Sequence, residues 1–224
     1  VAQGAQRGIR NESLRSRVYS ELRGRIQRGE VGPHDKLVDV DIARELEVSR
    51  MPVREALLQL VNEGYVVGTT RGFALPRLTR SDVADIFEVR RLLEPRAAAS
   101  AAAGLNDDGL VQLADAVRKA EAAVAGHDVA GLMLANIQFR QTWIAAIGNP
   151  RLAEIIGRFA DQVQLVRLNT LARPESQRVV TRGLRRLLAA FQRRNSLAVF
   201  DHMTAFVAEA EEHFFAAVEE QDRL

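Results

Sequence analysis

The chain has 224 residues, 47% apolar and 27% charged, a balance that supports a folded core and excludes general disorder. Cysteine is absent, which excludes disulfide scaffolds, thiolate metal sites and cysteine nucleophiles, and no run of 18 apolar residues reads as a membrane span. Net charge is +2, with 13 Lys/Arg against 10 Asp/Glu in residues 1–78 and 18 against 19 in the rest, so the front is the more basic part.

Residues 1–10 read as a flexible arm and 11–76 as one small domain. Leu14, Val18, Leu22 and Ile26 recur every four residues, one face of a helix that stops before Gly29. After the Gly32-Pro33 turn, Asp39 or Asp41 can cap a short helix carrying Ile42, Ala43 and Leu46. Ser49 can cap the next helix, with Pro52 in its first turn and Val53, Ala56, Leu57, Leu60 and Val61 turned inward. Tyr65-Val66-Val67 and Phe73-Ala74-Leu75 flank Gly68 to Gly72 and predict a β-hairpin with a four- or five-residue loop. Helix, helix, tight turn, helix and hairpin is the order of a winged helix-turn-helix.

Residues 77–79 read as a linker after Pro76, and Thr79 with Asp82 has the spacing of a capping box. From residue 80 to 224 the apolar spacing is helical. Breakers divide it into helices near 80–103, 106–126, 128–147, 150–171, 174–194 and 196–220, with Pro95 expected to kink the first. The predicted fold class is mainly α: an N-terminal winged helix-turn-helix followed by an all-α bundle.

The segment Val48-Ser49-Arg50-Met51-Pro52-Val53-Arg54-Glu55-Ala56-Leu57 carries the sharpest chemistry. Arg50 and Arg54, four apart, share the face opposite the apolar stripe, in the first turns of the second helix of the pair. That end of such a helix enters a major groove, where a guanidinium can take guanine O6 and N7 or clamp a phosphate. The plain alternative is two solvated surface arginines. From Leu37 to Gly64 the chain resembles the signature of the GntR family of bacterial transcription regulators, above all in SRMPVREAL and the closing LVNEG. The back part resembles the all-helical effector domain of the FadR subfamily, called FCD, in FEVRRLLEP over residues 87–95 and AAIGN over 145–149. The resemblance spans roughly residues 11–220. It implies contacts to double-stranded operator DNA from Ser49, Arg50, Met51 and Arg54, and from the wing pair Arg71-Gly72 in the minor groove. Many relatives carry Arg where Val40 stands here, and Arg44, one turn on, can take over a phosphate contact.

The FCD resemblance also implies a buried metal held by an Asp and three His. Aligned on AAIGN, the first two ligand positions fall at Asn136 and Arg140, the third at Leu184 and the fourth near Phe206. An amide, a cation and two apolar side chains cannot hold a divalent ion, so no metal and no other cofactor is expected. His202, one turn before Phe206, is the histidine placed to face a pocket. Arg140 puts a fixed cation where the metal charge would be and can pair with a carboxylate effector, with Arg90 as the second candidate. The plain alternatives are an internal ion pair from Arg140 to Glu94 that closes the cavity, or a pocket filled by Leu184 and Phe206.

The chain thus reads as a cytoplasmic, homodimeric, ligand-responsive transcription regulator, a repressor whose helical domain senses a small organic acid without a metal. An acyl-CoA-like effector, or a vestigial helical domain that binds nothing, is the alternative. An enzyme is not supported: no glycine-rich phosphate loop is present, and Asp201-His202 are adjacent on a helix and diverge.

Overall fold

The computed structural model describes residues 13–32, 34–157, 159, 171 and 173–221. The arm at residues 1–10 lies outside the described residues, as does most of the second half of the helix expected over 150–171. The chain divides into two compact units, one of Val1–Ile26 and Glu30–Pro76, the other of Gln27–Gly29 and Arg77–Leu224.

In the first unit, α1 (Leu14–Gln27) buries Val18, Leu22 and Ile26. Leu14, expected on the same face, is 42% exposed, because it occupies the opening turn beside the capping Ser13 hydroxyl, which accepts from the Ser16 N–H at 3.2 Å. Helix α2 (Asp39–Glu45) is not capped by an aspartate as expected. Val38 holds the cap position, and Asp39 and Asp41 lie in the first turn, where the helix dipole favours negative charge. Glu47 then turns the chain with φ of 54°, while the Val48 N–H returns to the Ala43 carbonyl at 3.0 Å. Helix α3 (Arg50–Asn62) follows from Ser49 and packs on α2, with Val53, Ala56, Leu57 and Leu60 fully buried. Their spacing of three, one and three residues makes a single inward stripe, each Val or Leu contributing about 1.5–3 kcal/mol of burial.

The hairpin is tighter than expected. Strands β1 (Val67–Thr69) and β2 (Gly72–Ala74) pair antiparallel with Thr69 opposite Gly72, which leaves only Thr70 and Arg71 in the loop. Two interactions shorten it. The Thr69 hydroxyl donates to the Gly72 carbonyl at 3.0 Å and accepts from the Arg71 N–H at 3.3 Å. Leu37 pairs with Phe73 through reciprocal backbone bonds of 2.8 and 2.9 Å, tying the wing to the start of the helix pair.

The second unit contains α4 (Arg80–Gly104), α5 (Asp107–Ala125), α6 (Val129–Ala145), a helical run over 150–157 (α7), α8 (Pro174–Gln192) and α9 (Ser196–Gln221). The breakers of the sequence become its caps. Thr79 and Asp82 form the full capping box of α4, while Asn106 and Asp128 accept from the N–H groups of Gly109 and Gly131. Asn195 Oδ1 accepts from the Ala198 N–H at 3.0 Å. Helix α4 is continuous from Arg80 to Gly104, with Pro95 buried within it. Packing pairs α5 with α6, α4 with α9, and α8 with α9 around a core that includes Phe139, Trp143, Phe191 and Phe206. Among the described residues no helix is long and apolar enough to cross a membrane.

Candidate nucleic-acid interface and effector site

The exposed face of α3 and the hairpin tip gather the front residues singled out by sequence. Ser49, Arg50, Met51 and Arg54 are exposed, Met51 to 66%, an unusual position for a large apolar side chain that the inward stripe does not use. Ser49 stands at the N-cap with extended backbone, and its hydroxyl makes no capping bond. Arg50 donates through one terminal nitrogen to Asp39 Oδ2 at 3.1 Å, across the two helices. Arg54 is exposed and makes no ion pair among the described residues. Arg44, also exposed, reaches Asp41 on its own helix at 3.4 Å, its one ion pair among the described residues.

Arg71 is exposed at the tip of the hairpin. Gly72, half-buried, closes the two-residue loop opposite Thr69 with φ of 108°, and a Cβ there would lie 2.6 Å from the Leu37 carbonyl oxygen. Its lack of a side chain is therefore required by the wing's own packing. Behind the helix pair, Arg25 of α1 holds Glu45 of α2 at 2.7 Å, and this hydrogen bond keeps the Glu45 carboxyl below the usual carboxylate range.

In the helical unit, Arg90, Asn136 and Arg140 are all buried, and the first and last meet at one carboxylate. Arg90 Nε donates to Glu94 Oε1 at 2.8 Å, one turn along α4, and an Arg140 terminal nitrogen from α6 donates to the same oxygen. Side-chain exposures are 1% for Arg90, 4% for Glu94 and 9% for Arg140. The Arg90 guanidinium also lies 5.0 Å from the Phe87 ring centroid. Asn136, one turn before Arg140, has a buried Nδ2 with no hydrogen-bond partner among the described residues.

Leu184 and Phe206 belong to the packed core. The Phe206 ring lies directly on α8: a Cβ at Gly183 would come within 2.3 Å of its edge. His202 is half-buried on α9. The positions implied for a metal therefore present a guanidinium paired with a carboxylate, an amide and two core side chains, a donor set that does not fit a divalent cation.

Two partnerships were not derivable from local spacing. Asp39 lies 11 residues from Arg50, on another helix, and Glu94 serves two arginines, one of them 46 residues away. The i,i+4 spacing signals the Arg90–Glu94 pair, and the internal ion pair from Arg140 to Glu94, offered by the sequence as the plain alternative to an effector anchor, is the arrangement present.

Comparison with known proteins gives consistent matches. Residues 14–72 match the family described as bacterial regulatory proteins, gntR family, and residues 85–209 match the FCD domain. The HTH-type transcriptional regulator YdhC of Bacillus subtilis (strain 168), itself uncharacterized, is 24% identical over 204 residues, 90% of this chain and 91% of that protein. The gluconate operon transcriptional repressor of the same organism is 42% identical over 78 residues, 35% of this chain and 32% of that protein. The solved structure of E. coli McbR/YncC superimposes with a TM-score of 0.80 at 23% identity, covering 91% of this chain and 98% of that one.

Proposed function

The chain belongs to the GntR family of bacterial regulatory proteins and carries an FCD domain, and from that premise we propose that it is a repressor released from its operator by a small carboxylic acid. It is a DNA-binding transcription regulator and not an enzyme. In this reading Ser49, Arg50, Met51 and Arg54 enter the major groove, Arg71 and Gly72 reach the minor groove, and Arg44 touches phosphate. Two copies bind a two-fold operator, because one winged domain reads only a short half-site. The protein works in the cytoplasm, where the DNA is.

The observation that carries the effector reading is the buried cluster of Arg90, Glu94 and Arg140 beside the unsatisfied amide of Asn136. Its donors converge on a carboxylate, and an incoming acid can exchange for Glu94 at Arg140 while accepting from Asn136 Nδ2. Glu94 sits on α4, the helix that the chain enters on leaving the winged unit. An acid that binds one arrangement of this helix better than another shifts the population between them.

A second reading, a helical domain that binds nothing, is favoured by Phe206 packed on Gly183 and by Glu94 occupying both guanidinium groups. Thermal unfolding against a panel of mono-, di- and tricarboxylic acids separates the two, since a ligand of the native state must raise the midpoint. The effector reading predicts a concentration-dependent rise with at least one acid, lost in Arg140→Ala. No shift with any acid supports the second reading.

A further inference from the structure

We infer that Asp39 is a positioning residue for operator recognition, holding the Arg50 guanidinium in the orientation in which it reads its base. The inference rests on the reading that Arg50 touches DNA. Asp39 lies in the first turn of α2, an element fixed by the burial of Ile42 and Ala43, and its own side chain is only 16% exposed. The Arg50 side chain is 62% exposed. The acid thus takes one terminal nitrogen at 3.1 Å, while the Arg50 side chain as a whole stays largely exposed.

A long, exposed arginine loses rotamer freedom when it docks on a base edge, and that loss opposes binding. Asp39 removes part of this freedom before DNA arrives. The neighbouring arginines show what is specific to this pair. Arg54 has no ion pair among the described residues, and Arg44 is paired at 3.4 Å within its own helix, with both side chains mostly exposed. Neither is held from a second helix. Arg50 is therefore suited to a fixed base contact, and Arg54 to a phosphate that tolerates movement.

Electrostatics alone gives the opposite expectation. A carboxylate beside a DNA-binding face repels phosphate, so its removal tightens DNA binding unless it has a positioning role. The sign of the effect is the test. Operator duplexes are selected from a random pool with the wild-type protein, and affinities are measured by fluorescence anisotropy on operator and scrambled DNA. The proteins compared are wild type, Asp39→Asn, Asp39→Glu, Arg50→Ala and the double variant Asp39→Asn/Arg50→Ala.

Asp39→Asn is expected to weaken operator binding about tenfold, to leave scrambled DNA bound equally or more tightly, and to lower the unfolding midpoint only slightly, because a surface ion pair and a first-turn charge add little stability. Asp39→Glu should retain most of the operator affinity. In the Arg50→Ala background the loss from Asp39→Asn should shrink to under about twofold, the mark of a residue acting through another. Unchanged or tighter operator binding by Asp39→Asn, or an equal loss in both backgrounds, overturns the inference. An Arg50→Ala protein with wild-type operator affinity overturns the contact reading itself, a separate and distinguishable failure.

Discussion

The two units use the same side chain under opposite solvation. On α3 of the winged unit, Arg50 and Arg54 are exposed, and among the described residues the carboxylate that meets them, Asp39, touches Arg50. In the helical unit, Arg90 and Arg140 are buried and converge on Glu94. An exposed guanidinium contributes little to folding and is available to a partner. A buried one is bound to the fold, because losing its counter-charge leaves a desolvated ion without the carboxylate that compensated it. The first arrangement suits encounter with a polyanion. The second suits a switch, where one carboxylate can replace another without changing the charge.

Removing Glu94 is the hardest blow to this contrast. Glu94→Ala leaves two buried guanidinium groups without the carboxylate they share, and it should lower stability by about 3–5 kcal/mol in denaturant unfolding. Arg50→Ala, at the exposed end of the comparison, should change stability by less than about 0.5 kcal/mol in the same experiment. Equal losses in the two variants would erase the distinction between the units.

A milder test sharpens the contrast within the helical unit. Asp115 on α5 pairs with Lys119 at 2.6 Å and accepts from Gln138 of α6 at 3.1 Å, and these bonds bring its carboxyl down to about 2 from an ordinary 3.8. The folded state thus binds this proton less readily than the unfolded one. The stabilisation is in place above the ordinary value and is lost as pH falls from about 4 towards 2. Asp115→Asn should flatten that part of the stability–pH profile slightly, and added salt should weaken the wild-type dependence. A profile unaltered by the substitution would remove Asp115 from the account.

Much of the fold was legible because local rules decide it. The inward stripe of α3 follows from side-chain spacing, and Thr79, Asn106, Asp128 and Asn195 cap helices where the breaker pattern placed boundaries. What local rules do not reach was missed. Asp39 and Asp41 looked like caps, but Val38 holds that position. The hairpin loop was read too long because its register depends on Leu37, a residue more than 30 positions away that pairs with Phe73. At the candidate sites, the exposed arginines are legible from their helix face, and the pairing of Arg140 with Glu94 is one of the alternatives the sequence offers, whereas Asp39 meets Arg50 across two helices, which no local rule reaches. That the positions the FCD resemblance implies for a metal carry no matching donor set is visible in residue types. The ion pair that occupies its place depends on the packing of α4 against α6.

Operator affinity as a function of salt, measured for wild type, Arg50→Ala and Arg140→Ala without added acid, tests the central division of labour most directly. Arg50→Ala should bind operator more weakly by about 1–3 kcal/mol. Arg140→Ala, at a temperature where it remains folded, should reproduce the wild-type affinity and the wild-type salt slope. The opposite pattern, with Arg50 dispensable and Arg140 required for binding in the absence of acid, would contradict the assignment of recognition to the exposed arginines and sensing to the buried ones.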